Sequence, residues 1–251
     1  MGYSGDFESD DKQENQGYSG QEFLHNIESG MKSYNADITK KIAETLNLLG
    51  VQPLQSLNVL DFGAGIGSLA QNLLDLVGVK TICVEIDSLQ SDLLRDKGFD
   101  VYRRISDVPT KVDFIYTSNV LEHILDDTTI LHELYEALER QGYLLIYVPA
   151  HQFLFSELDR EVGHFRRYSK KDLHAKVEAA GFQICNIEYH DSLGFLASLA
   201  FRLFGFNKKL GMGTSISYRL YDKLIFPMSR LLDTIGFRKI IGKNLLVVAR
   251  K

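Results

Sequence analysis

The sequence predicts an α/β fold: a doubly wound, mostly parallel sheet of seven strands with helices on both faces. Two observations carry this. Apolar strand-like runs alternate with helical patterns from about residue 57 onward, and such alternation builds parallel sheets covered on both sides. The first such run also ends in a glycine-rich turn, VLDFGAGIGSL (59–69), with a helical pattern behind it. Sheets of this type bind ligands beyond the carboxyl ends of their strands, where the strand order switches.

Residues 1–20 are polar and acidic, with GYSG at 2–5 and again at 17–20, and read as a disordered tail ahead of one domain over 21–251. Residues 21–49 read as a helix, with Ile38, Ile42, Leu46 and Leu49 at helical spacing. Strands are expected near 57–61, 81–86, 99–103, 112–117, 143–148, 182–190 and 243–250. Helices are expected near 66–77, 88–97 and 128–140. Ser169 and Asp172 suit the start of a further helix, which Gly181 would stop as a left-handed residue. Residues 192–241 separate the last two strands and suit two or three amphipathic helices. A connection this long inside a compact domain is usually functional.

At 45% hydrophobic, the 251 residues suffice for a sizeable core. Cys83 and Cys185 lie in apolar runs and read as buried thiols without a disulfide framework. No signal-peptide pattern or membrane-length apolar run is present, so the expected location is cytoplasmic. The net charge of −5 is uneven: residues 191–251 carry +8 and the remainder −13. A basic end attracts phosphate groups or an anionic membrane surface, when it is not merely a solvated face.

Gly63 and Gly65 permit a sharp turn with positive φ and a close approach of backbone to ligand. The acid-x-Gly-x-Gly-x-Gly spacing, opened by Asp61, is tighter than the dinucleotide fingerprint, and its carboxylate would repel a pyrophosphate. It suits a ligand with an amino-acid end, such as S-adenosylmethionine (SAM). Glu85 closes the second strand, about 20 residues on, where an acid accepts ribose hydroxyls.

With these motifs in order, the chain resembles the class I SAM-dependent methyltransferases. VLDFGAGIGSL looks like their first motif, CVEID their second, VDFIYTSNVLEHILDD their fourth, GYLLIYVPA their fifth strand and KNLLVVARK their final antiparallel strand. VPAHQFLFSELDREVGHFRRYSKKDL followed by YDKLIFPMSRLLD resembles a bacterial subgroup (methyltransferase type 11/12/23-like) often encoded near, or fused to, glycosyltransferases. The resemblance implies a Rossmann-like methyltransferase fold with SAM as cofactor. It implies that Asp61, Gly63, Ala64, Gly65 and Gly67 hold the methionine part. Glu85 would bind the ribose, Ile86 would pack on adenine, and Asn119 and Val120 would lie beside the reacting methyl. Relatives often carry an acid after the third strand; here Arg103 and Arg104 stand near that place, with Asp107 just beyond.

An electrophilic sulfonium methyl needs only an aligned nucleophile, and a hydroxyl acceptor is helped by a base of near-neutral pKa. His151, just past the fifth strand, is the expected base and His164 a substrate-orienting group. His123 is expected to shape the cofactor site. Arg166, Arg167 and Tyr168 form a candidate phosphate or carboxylate site, the alternative being a salt-bridged loop held by Asp159 and Glu161. Glu122, His123, Asp126 and Asp127 cluster without a set of facing carboxylates, so no metal is expected.

The expected reaction is methyl transfer to an oxygen, less readily a nitrogen, of a small-molecule, glycan or secondary-metabolite acceptor. A lipid or quinone taken from the membrane through 192–241 is a second reading, and a non-catalytic SAM-binding partner protein a third. Nucleic acid is not expected. The 192–241 segment is expected to wall the acceptor pocket near His151 and His164, with a homodimer contact on a distant face as the alternative.

Overall fold

The computed structural model describes residues 30–204 and 215–251. The acidic tail and the first nine residues of the expected 21–49 helix lie outside the described residues.

Seven strands form one sheet: β1 (Val59–Phe62), β2 (Ile82–Val84), β3 (Asp100–Tyr102), β4 (Val112–Ser118), β5 (Leu138–Pro149), β6 (Gln183–His190) and β7 (Asn244–Arg250). Their order is β3-β2-β1-β4-β5-β7-β6. The first five run parallel, while β7 is antiparallel to both neighbours, with Pro149 opposite Asn244 and Asn244 opposite His190. The order reverses between β1 and β4, so the crevice there opens at the carboxyl ends of both strands.

Helix α1 (Lys32–Leu46) buries Ile38, Ile42 and Leu46 together with Leu73 of α2 (Ser68–Val77) on one face of the sheet. Helices α4 (Asp127–Ala137) and α6 (Lys170–Ala179) bury Leu131, Leu134, Leu173 and Val177 on the other. Helix α3 (Ser88–Asp96) seats Leu94 beside Cys83 and Phe99. The core is thus two apolar layers sandwiching strands that are buried on both sides. Ser169 caps α6 by accepting the Asp172 N–H, and Gly181 follows its end at φ 103°.

Two expectations change. The helix expected to reach 140 stops at Ala137, because Leu138 already pairs with Val112 of β4 and Gln141 takes φ 71° ahead of Gly142. Cys185 is exposed rather than buried, since it falls at a register shift in the edge strand β6.

The segment after β6 forms α7 (Ser192–Phe204), α8 (Ser215–Leu220), a π-helical turn (Tyr221–Ile225) and α9 (Phe226–Thr234). The π-turn sits directly ahead of Pro227, whose ring and missing N–H an unbroken α-helix could not accommodate. The three acids of this stretch all turn inward. Asp222 accepts the backbone N–H groups of Ser33 and Tyr34 at 2.9 Å each, capping α1 from far along the chain. Asp233 accepts the N–H groups of Asp191 and Ser192, and Asp191 accepts the Tyr221 hydroxyl. Phe226 meets Tyr34 edge-on at 5.3 Å. The segment is therefore fastened to α1 and to the β6–β7 connection, at the carboxyl edge of the sheet.

Candidate active site

Backbone geometry shapes the first part of the site. Gly63, Gly65 and Gly67 all lie at positive φ (76°, 58° and 82°). The Gly63 and Ala64 N–H groups both donate to the Val84 carbonyl, binding the turn to β2. A Cβ at Gly63 would overlap the side chain of Val120, and one at Gly67 would come within 2.6 Å of Leu94. Positive φ at 63, 65 and 67, with crowding at 63 and 67, makes glycine the fitting residue at these turns.

Glu85 is buried at the tip of β2 and ties the loop down. One carboxylate oxygen accepts the Gly65 N–H at 2.8 Å, the other the Asp87 N–H at 2.9 Å. Burial raises its pKa, and these backbone donors oppose the rise. A carboxylate offers about four lone-pair sites, so capacity remains for two ribose hydroxyls. Ile86, beside it, is 71% exposed, an apolar side chain open to a flat ring. Asp61 is buried at the end of β1, and burial with its added charge pushes the Cys83 thiol up to about 12. After β3, Asp107 accepts the Arg104 N–H and closes a single 3₁₀ turn.

Asn119 directly follows β4 in the left-handed region at φ 55°, with its N–H on the Tyr147 carbonyl at 2.8 Å. Such a conformation in a non-glycine residue is costly and clusters at functional sites. Near it runs a buried network the sequence did not reveal. Asn244 donates to the hydroxyls of Tyr34 and Tyr147 at 3.0 and 3.1 Å. The Lys243 ammonium lies over the rings of Tyr34 and Tyr221.

His151, two residues past β5, takes φ 66°. Its ring stacks on Tyr189 at 4.9 Å and meets Phe153 and Phe195 at 5.3 and 5.2 Å. Phe195 belongs to α7, so the inserted segment touches His151. Burial lowers the His151 pKa, against a hydrogen bond to the Gly242 backbone. The Nε2 atom is buried and has no hydrogen-bond partner among the described residues.

His164 lies elsewhere, in a cluster with Glu122 and His123. Its Nδ1 is 2.8 Å from Asp159 Oδ1, its Nε2 3.8 Å from Glu122 Oε1, and its ring meets His123 edge-on at 4.6 Å. Burial, opposed by its own backbone N–H and by the nearby Arg167, raises Glu122 to about 8; burial lowers His123 to about 4. Burial would raise Asp159, but hydrogen bonds from His164 and Arg167 outweigh it and hold it well below the usual carboxylate range.

Arg166, Arg167 and Tyr168 are engaged within the protein. Arg166 and the Tyr168 hydroxyl reach Asp127 Oδ2 at 2.8 and 2.7 Å, and Lys176 joins them. Arg167 donates from Nε to Asp159 at 2.8 Å. This is a salt-bridged loop, with Asp127 and Asp159 as its carboxylates; the role of Asp127 was hidden because it arrives from α4. A separate groove of about 370 Å³, lined by Ile105, Val108, Lys111 and Glu136, lies by the amino end of β4, away from this edge of the sheet.

The residues fit SAM: a glycine cradle, a buried acid at each of the first two strand tips, and an exposed apolar side chain for the base. When bound, the cofactor supplies an electrophilic methyl. Comparison with known proteins agrees. Residues 32–187 match the methyltransferase domain family. No curated protein matches the sequence. Among solved structures, a candidate sarcosine dimethylglycine methyltransferase from Galdieria sulphuraria superposes with TM-score 0.58 at 17% identity, over 86% of this chain and 85% of that one. The cyclopropane synthase MmaA2 from Mycobacterium tuberculosis gives 0.55 at 14% identity, over 84% and 83%. The mycolic acid cyclopropane synthase CmaA1, complexed with S-adenosylhomocysteine (SAH) and CTAB, gives 0.51 at 15% identity, over 84% of each chain. These likenesses are of fold. The sheet order, the glycine cradle and the family match over more than half its length place this chain among the class I SAM-dependent methyltransferases.

Proposed function

We propose that the protein methylates an oxygen of a small-molecule, glycan or secondary-metabolite acceptor, with His151 as the base. The observation that carries this is the His151 ring. A carbonyl only accepts, so the ring nitrogen facing Gly242 donates to it and Nε2 holds the lone pair. That nitrogen is buried without a partner among the described residues, at the carboxyl end of β5, the strand next to the one that Asn119 follows. Burial keeps the imidazole neutral near pH 7, the state a base requires. The aromatic walls of Phe153, Tyr189 and Phe195 suit an acceptor with an apolar or planar face.

The test is SAH release from labelled SAM across a panel of phenols, sugar nucleotides and polyprenyl-phosphate sugars. Turnover on a hydroxyl that falls by about 10²–10⁴ in His151→Ala supports the reading. Activity within a few-fold of wild type on every oxygen acceptor removes His151 from it.

A second reading, a lipid-borne acceptor, is favoured by the surface of the inserted segment. Ile216, Leu220, Leu224, Met228, Leu231 and Ile235 are each more than half exposed and recur at helical spacing. Arg219, Lys223 and Lys239 are exposed among them, while Asp191, Asp222 and Asp233 are buried. An apolar stripe flanked only by cations suits an anionic membrane interface. No helix among the described residues is long and apolar enough to cross a membrane, so contact would be peripheral. A homodimer across this face would set like charges against each other. Co-flotation with phosphatidylglycerol vesicles but not phosphatidylcholine vesicles supports the membrane reading, and a concentration-dependent dimer without flotation replaces it.

A further inference from the structure

We propose that Glu122, His123 and His164 bind a single divalent transition-metal ion. One ligand atom from each of the three lies within 4.8 Å of the others. Glu122 is fully buried, and among the described residues neither carboxyl oxygen accepts a hydrogen bond from another residue. A buried carboxyl left so is costly in itself, and a cation between it and two imidazoles would satisfy it.

The orientation of the rings is the second argument. His164 Nδ1 sits 2.8 Å from Asp159 Oδ1. A carboxylate only accepts, so Nδ1 carries the proton and Nε2, facing Glu122, carries the lone pair. His123 is held through a ring hydrogen bond to the Gly163 backbone, and one of its ring nitrogens falls within the same 4.8 Å set. Imidazoles that ligate metals are positioned in this way, by a carboxylate or carbonyl on their far nitrogen. Both outer partners come from one stretch, α5 (Glu157–Glu161) and the turn behind it, so that stretch would act as a brace.

Asp126 and Asp127 play no part. Asp127 is saturated by Lys176, Arg166 and Tyr168, and Asp126 caps α4 through Thr129. Two nitrogens and one oxygen select a first-row transition ion over Mg²⁺ or Ca²⁺, which prefer oxygen ligands. Three protein ligands leave positions open for water or an oxygen of a bound molecule. The site lies on the turn directly after Asn119 and Val120, where an ion would lower the pKa of a coordinated hydroxyl. The sequence hid this set because His164 belongs to a different segment from Glu122 and His123.

The experiment is a Co²⁺ titration of the full chain, free of any affinity tag and stripped with EDTA. The expected result is one equivalent bound, with visible d–d absorption that Zn²⁺ abolishes and Mg²⁺ does not. Glu122→Gln and His164→Gln, which keep side-chain size, should each lose that absorption. Asp159→Asn should weaken binding about 10–100-fold, the range for an outer partner. Circular dichroism and SAH affinity verify folding of each variant. Should a variant unfold, X-ray absorption on the wild-type Co²⁺ protein decides: scattering from two imidazoles supports the site. No bands at one equivalent, no imidazole scattering, or binding undiminished in folded variants overturns it.

Discussion

The two halves of the sheet's carboxyl edge are built by opposite means. Around β1 and β2 the site is mostly backbone: three left-handed glycines and N–H groups fixed on Val84 and Glu85, all within about one strand–helix–strand unit. Around β5 it is side chains delivered from far apart. Tyr189 and Phe195 frame His151 from β6 and α7, and α7 and α9 are held by Asp191 and Asp233. A backbone site fails when a Cβ is added. A side-chain site fails when a ring or carboxylate is removed. The difference predicts where each half is fragile.

The largest expected effect separates the halves. His151→Ala should lower kcat on a hydroxyl acceptor by about 10²–10⁴ while SAH affinity, read by calorimetry, stays unchanged. An equal loss in SAH affinity would show that the two halves act as one. The converse variant is Gly63→Ala, whose Cβ overlaps Val120 at φ 76°. It should weaken SAH binding by about 100-fold, ~3 kcal/mol. Adding Val120→Ala should restore part of that loss, because it removes the overlap and leaves the backbone strain.

A smaller effect tests how the inserted helices are fastened. Asp222→Ala leaves two α1 N–H groups without their acceptor and should cost about 1–2 kcal/mol of stability in denaturant melts. A change below a few tenths would mean that the segment contributes nothing to the fold through α1.

Next comes pH. Burial depresses the folded-state pKa of His151 below its ordinary value of about 6.5. The unfolded chain then binds the proton first as acid is added, so this contribution to stability is present above pH ~6.5 and is lost as pH falls towards the folded-state pKa. The gap between wild type and His151→Gln should narrow over that range; a gap constant with pH would mean the ring titrates normally. The smallest effect is ionic: Arg219→Ala with Lys223→Ala should reduce vesicle binding by a few-fold, and added salt should mimic it.

Much of the cofactor half was legible along the chain. Asp61, the glycines and Glu85 sit at fixed offsets from two strand ends, and a parallel sheet brings those ends together whatever else the chain does. The His151 half was legible only as residue types. His151 stood out by its position after β5, yet nothing near it in sequence announces Tyr189 and Phe195 as its walls. For Arg166, Arg167 and Tyr168 an anion site and a salt-bridged loop stood open together, because Asp127, which Arg166 and Tyr168 meet, comes from α4. Tyr34, Tyr147 and Asn244 gave no signal at all, since buried polar networks are assembled from one or two residues per element.

By itself the sequence determined the α/β alternation, the strand ends and the glycine cradle, because these follow from hydrophobic period and from conformations that glycine alone adopts readily. Tertiary structure alone decided which charges are neutralised, which imidazole nitrogen is left with its lone pair, and which face the inserted helices leave exposed. Those outcomes depend on burial and on partners across the fold, and a hydrogen bond or ion pair between distant segments exists only after the chain has packed.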